Sequence, residues 1–236
     1  MPSFGQSALE AERVGRRFGR LWAVSEVSLS VAPGEALLLA GRNGSGKSTL
    51  LRLLAGALRP DRGEVRLEGE AGLDALRRGA GLLAHSAFTY DPLTALENLE
   101  LFARLLGRPA DRASLLARLD EVGLADHACG QVHSFSAGMH QRLALARLLL
   151  QEPRVALLDE PHASLDPRGM RQIDEVVLGL KRRGVAVVLA THDLRRAAAL
   201  CERGIILGAG RIQWAGSTSD LMGSGSALVQ ATEEAA

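Results

Sequence analysis

The stretch that most constrains this chain is residues 41–49, GRNGSGKST, set between the apolar run Ala36-Leu37-Leu38-Leu39-Ala40 and the segment Leu50-Leu51-Arg52-Leu53-Leu54-Ala55. A buried strand, a glycine-rich turn and an amphipathic helix, in that order, give the GxxxxGK[ST] pattern the context of a phosphate cradle. Gly41, Gly44 and Gly46 let the backbone wrap so closely that successive N–H groups face one concavity. A helix opening at Lys47 adds its positive end. In this reading Lys47 reaches the β and γ phosphates, and the Ser48 hydroxyl ligates the Mg²⁺ that travels with them. Of the 28 basic residues only Lys47 and Lys181 are lysine. A tight nest suits a compact ammonium better than a planar guanidinium fork, which accounts for the exception at position 47.

A chain of 236 residues is long enough for one large α/β domain or two small ones. A formal charge of +1, 3% aromatic residues and no run of five Lys or Arg argue against nucleic acid as the main partner. Cys129 and Cys201 have no metal-ligand spacing and read as reduced cytosolic thiols. The first residues lack the basic-then-apolar order of a signal peptide, and every apolar stretch is broken by charge far short of the ~18 residues that span a bilayer.

Taken in order, residues 8–14, 21–31 and 35–40 read as strands, with Ala32-Pro33-Gly34 as a turn. Phe18 precedes the glycine-rich loop and either stacks on a nucleotide base or packs in the core. Residues 47–57 form the helix after the loop, followed by strands over 64–68 and 81–84, the latter ending at His85. Composition then turns leucine-rich. Thr94 with Glu97 reads as a capping box opening a helix to Gly107, and residues 112–122 form a second helix with Leu115, Leu116, Leu119 and Val122 on one face. Residues 86–131 therefore read as an inserted helical subdomain or, more plainly, as two crossover helices.

Ser136 and Gly138 stand before a periodic helix over 140–150, which makes a second helix start able to face an anion. Residues 154–160, RVALLDE, are a continuous apolar run ending in Asp159 and Glu160, which places them at the centre of a mostly parallel sheet. Charges at the carboxyl end of such a strand lie in the ligand crevice. A helix over 167–183, a strand over 185–190 ending at His192, a helix to Cys201, strands near 205–207 and 211–215 and a short helix near Asp220 complete the chain, and the tail over 223–236 is expected to be flexible.

These elements together resemble the nucleotide-binding domain of ABC ATPases from residue 8 to about 222. The resemblance implies an α/β fold: a P-loop NTPase core with a mostly parallel sheet over 1–85 and 132–222, an N-terminal antiparallel β part and an inserted α-helical subdomain. Gly41, Arg42, Asn43, Gly44, Ser45, Gly46, Lys47, Ser48 and Thr49 match the Walker A loop, and Phe18 stands where the family stacks adenine. Residues 135–139 match the LSGGQ signature with three departures: Phe135 for Leu, Ala137 for Gly and Met139 for Gln. Asp159 and Glu160 match the Walker B aspartate, which holds Mg²⁺, and the glutamate that polarises the attacking water; Asp166 closes the D-loop and His192 is the switch histidine.

The same resemblance implies ATP and Mg²⁺ as ligands, a head-to-tail homodimer in which Ser136, Ala137 and Gly138 reach the partner copy's nucleotide, and membrane permease subunits at the cytoplasmic face of the membrane. His85 stands where the family has its Q-loop glutamine. Either a neutral imidazole still reaches Mg²⁺ or its water, which makes the link pH-sensitive, or the histidine is a tolerated replacement. Residues 82–85, LLAH, with LTALENLELFARLLG over 93–107, look like the ATP-binding subunit of the haem exporter of cytochrome c maturation. An ABC ATPase for another solute is the alternative. A soluble relative acting on DNA or the ribosome is disfavoured, because the stretch between Lys47 and Ser136 is too short for a coiled coil and no zinc-binding cysteines are present.

Overall fold

A computed structural model describes residues 7–84 and 89–223 of the chain. The expectations for His85 and for the tail beyond residue 223 fall outside these residues.

The organising element is β3, Ala36–Ala40, whose five residues are all buried. Because side chains alternate along a strand, Leu37 and Leu39 enter one apolar cluster while Ala36, Leu38 and Ala40 enter another on the opposite face. The same split holds for β7, Val155–Asp159, and β8, Ala186–Ala190, which explains their unbroken apolar runs. With β6, Ala80–Leu83, β9, Arg203–Gly208, and β10, Arg211–Ser217, they form a sheet in the order β10-β9-β3-β8-β7-β6. Every pair is parallel except β9 with β10. The centre is held by β3 and β8. β7 lies one strand in from the β6 edge, a correction to its expected central place: burial on both faces does not distinguish the middle strand from its neighbour.

The second sheet is antiparallel, in the order β2-β1-β4-β5: β1 is Leu9–Phe18, β2 Leu21–Val31, β4 Arg62–Leu67 and β5 Glu70–Ala71. It packs over α1, Lys47–Leu54, and the first face of the large sheet. β1 runs past the expected residue 14 because register shifts, with Arg13 at φ 44°, carry the pairing on to Phe18. α1 stops at Leu54 rather than 57, where Gly56 at φ +67° turns the chain. A short helix absent from the sequence reading, α2 at Leu73–Gly79, buries only Ala75, Leu76 and Gly79, too brief a pattern to show periodicity.

The other face carries α3, Ala95–Leu105, α4, Arg112–Glu121, α5, Ala137–Leu150, α6, Pro167–Arg182, α7, Leu194–Leu200, and α8, Thr218–Gly223. The Thr94 capping box is formed in full: Glu97 N donates to Thr94 Oγ1 at 3.2 Å and Thr94 N donates to Glu97 Oε2 at 2.8 Å. Leu99, Leu115, Leu119 and Val122 join the same apolar cluster as α5, α6 and the underside of β3. α5 begins at Ala137, three residues earlier than read from periodicity, because Ser136 caps it.

Candidate functional site

The loop after β3 is shaped by close backbone approach. Gly41 and Gly46 adopt φ +144° and +106°, and a Cβ on either would lie 2.3 Å from a backbone carbonyl, Leu207 O for Gly41 and Ala23 O for Gly46. Only glycine fits there. The N–H groups of Gly46, Lys47, Ser48 and Thr49 donate to no described residue, as the start of a helix requires, and neither does that of Gly44 in the loop before it. They form a concave set of free donors at the positive end of α1. Lys47 is buried, and its Nζ donates to Gly41 O at 2.6 Å and Arg42 O at 3.4 Å, so one of its three N–H bonds is left over. Ser45 Oγ is buried in the loop without a hydrogen-bond partner among the described residues.

This loop lines a cleft of about 510 Å³ together with Ala23, Asp159 and Glu160. Asp159 ends β7 with most of the residue buried, 6% exposed, and it lines the cleft; no hydrogen bond or ion pair joins its carboxylate to a described residue. Its oxygens are therefore open to the cleft and available to a cation there. With Ser48 in the same cleft, the oxygen donors suit a hard divalent ion such as Mg²⁺. Glu160 follows at φ 49°, its N–H donating to Ala190 O at 2.8 Å. Its Oε2 lies 3.0 Å from Nδ1 of His192, at the end of β8. An ionised carboxylate only accepts, so Nδ1 carries the proton in this contact and Nε2 is left free.

The structure thus brings Lys47, Ser48, Asp159, Glu160 and His192 together and leaves other expected residues elsewhere. Ser136 caps α5, accepting from Met139 N at 3.2 Å, and Gly138 packs where a Cβ would lie 3.0 Å from Ser164 O. Asp166 caps α6, accepting from Gly169 N at 2.7 Å. None of Ser136, Ala137, Gly138 or Asp166 lines the cleft of its own chain, and neither does Phe18, which is exposed at the end of β1 with the Arg16 guanidinium 5.3 Å from its ring. Sequence reasoning missed Ala23, whose backbone rather than side chain closes on Gly46, and Gln141, a buried amide whose polarity within the leucine-rich α5 was a legible signal. A separate groove of about 430 Å³ runs between α2, β6, α3 and α5, lined by Leu82, Phe102, Leu106 and Arg147 among others. The Arg147 guanidinium lies 3.3 Å from the Phe102 ring centroid, and burial pulls its pKa down to about 10.

A family profile described as ABC transporter matches residues 24–163. The methionine import ATP-binding protein MetN of Caulobacter vibrioides is 37% identical over 209 residues, covering 84% of this chain and 63% of that protein. Nod factor export ATP-binding protein I of Paraburkholderia xenovorans is 36% identical over 224 residues, covering 93% of this chain and 74% of that one. A dimeric ATP-binding cassette solved in a post-hydrolysis state with ADP and Pi superposes with a TM-score of 0.80 at 28% identity, over 89% of this chain and 98% of its own. The chain spans 58% to 63% of the length of several curated relatives it matches. No helix among the described residues is long and apolar enough to cross a membrane. With a matched profile over more than half its length and a phosphate-cradle cleft in the matched segment, the chain belongs to the ABC transporter family.

Proposed function

We propose that this chain is the ATP-binding and ATP-hydrolysing subunit of an ABC transporter, acting as a head-to-tail homodimer on a separate membrane permease. One observation carries the reading: a single cleft joins a nest of free N–H donors and Lys47 to the Asp159 carboxylate and to Glu160, which His192 contacts through a hydrogen bond. The nest and Lys47 bind the phosphates of ATP. Ser48 and Asp159 hold Mg²⁺, which, when bound, neutralises charge on the phosphate oxygens. Glu160 accepts a proton from the water that attacks the γ phosphorus, the bond to the β-phosphate oxygen breaks, and ADP and phosphate leave. His192 orients the Glu160 carboxylate through Nδ1–H and, with Nε2 protonated as well, donates from Nε2 to a γ-phosphate oxygen.

Ser136, Ala137, Gly138 and Asp166 act on the nucleotide of the partner copy. Support comes from their place outside their own cleft at two helix starts, and from the dimeric form of the related cassette with ADP and Pi. Phe18 stacks on the adenine. The helical block over 86–131 and the groove beside Phe102 and Arg147 dock the permease at the cytoplasmic membrane face, with His85 in the role of the Q-loop glutamine.

For the solute, residues 82–85 and 93–107 support haem export in cytochrome c biogenesis. The relatives' names, methionine import and Nod factor export, favour another cargo as the second reading. Purification of the tagged chain from native membranes tests both. Co-purified haem-handling membrane proteins support the first, and a permease of another class replaces it with the second. A chain that captures no membrane protein and binds DNA in a salt-dependent way overturns transport altogether.

A further inference from the structure

His162 lies two residues after Glu160 and is only 6% exposed, an unusual setting for a histidine outside the cleft. Its Nε2 is 2.9 Å from Oδ1 of Asp174 on α6. The other carboxylate oxygen of Asp174 is ion-paired with Arg196 on α7. Arg196 turns back to the start of its own helix: its backbone N donates to Asp193 Oδ1 at 3.0 Å, and its Nε stands 3.7 Å from Asp193 Oδ2. Asp193 is the neighbour of His192, and His192 closes on Glu160 at 3.0 Å. The contacts form a ring that leaves Glu160 along the chain, crosses two helices through His162, Asp174, Arg196 and Asp193, and returns to Glu160 through His192.

Two further observations describe the ends of this path, the backbone of Glu160 and the state of His162. Glu160 sits at φ 49°, a left-handed conformation that is unfavourable for a non-glycine residue and is held here by its surroundings. The ring supplies that constraint from both sides, since Pro161 is the one residue between Glu160 and the buried imidazole. The tautomer is also fixed. Asp174 accepts, so Nε2 carries the proton; burial holds the imidazole below its ordinary pKa despite Asp174, so the group is neutral and its Nδ1 has no partner among the described residues.

We propose that His162, Asp174 and Arg196 are positioning residues that fix the Glu160 carboxylate and the His192 imidazole relative to each other. The inference rests on the proposed reading of Glu160 and His192 as the hydrolytic pair. The three residues touch no reacting atom; they act by holding two that do. A displacement near 1 Å at such a pair lowers turnover by as much as about 100-fold. Nucleotide binding is carried by the separate loop after β3 and is left intact.

The test uses the purified full chain and steady-state ATP hydrolysis in the parent and in Asp174→Asn, Arg196→Met, Arg196→Lys and Glu160→Gln. Asp174→Asn keeps the shape and Arg196 is on the surface side of the network, so both variants are expected to fold, with circular dichroism and melting temperature as the check. The expected result is a fall in kcat of roughly tenfold for Asp174→Asn and Arg196→Met, with KM for ATP within about twofold. Arg196→Lys keeps a cation opposite Asp174 and restores kcat to within about threefold of the parent. Loss in KM alone, parental kcat in both variants, or an equal loss in Arg196→Lys overturns the proposal while Glu160→Gln remains inactive. A parent without ATPase activity, or an active Glu160→Gln, overturns the underlying reading and the proposal with it.

Discussion

Replacing one glycine of the phosphate loop separates backbone strain from steric exclusion. Gly44 and Gly46 both have positive φ, +76° and +106°, so alanine at either strains the backbone. That strain costs roughly 1–2 kcal/mol per residue. The surroundings differ. A Cβ at Gly44 meets nothing within 4 Å, whereas at Gly46 it lands 2.3 Å from Ala23 O, a backbone atom of β2 that cannot swing aside. Overpacking of that kind adds about 1–3 kcal/mol. Gly46→Ala is therefore expected to lose about 2–5 kcal/mol and Gly44→Ala only about 1–2 kcal/mol. Urea unfolding without nucleotide measures both, provided the midpoint moves and the slope m does not. Equal losses in the two variants would refute the argument that β2 and the loop are in enforced contact.

Two other outcomes follow from burial. The Cys201 thiol is buried and pushed up to about 12, while Cys129 is exposed; a thiol reagent at pH 8 is expected to modify Cys129 alone in the native chain, and fast labelling of both contradicts the packing of Cys201. His162 titrates below the usual 6.5 in the folded chain, first because of burial and with Arg196 adding to it, against the opposing pull of Asp174 and Asp193. The unfolded chain therefore takes up that proton first, so stability is expected to fall as pH drops through 6.5, and His162→Phe to flatten that slope. A slope unchanged in His162→Phe would show that other groups set it.

The parts legible in the sequence were those whose cause is local. β3, β7 and β8 announced themselves because both of their faces are buried, and the Thr94 box because its partners are three residues apart. Lys47, Ser48, Asp159 and Glu160 share one cleft because two strand ends deliver them to the same edge of the sheet. Strand order was less legible. Nothing in RVALLDE says whether its neighbour is the edge strand, since order depends on crossovers elsewhere in the chain. Least legible was the ring through His162, Asp174 and Arg196. Each residue alone reads as an ordinary polar side chain, and only the packing of α6 against α7 brings them into one network.

In the proposed function Glu160 removes the proton in a site that a second copy completes. Sedimentation velocity of Glu160→Gln with Mg²⁺ and ATP tests it most directly. The variant is expected to be a monomer without nucleotide and a persistent dimer with ATP, the nucleotide remaining uncleaved. A variant that consumes ATP at the parental rate and sediments as it does without nucleotide would contradict it.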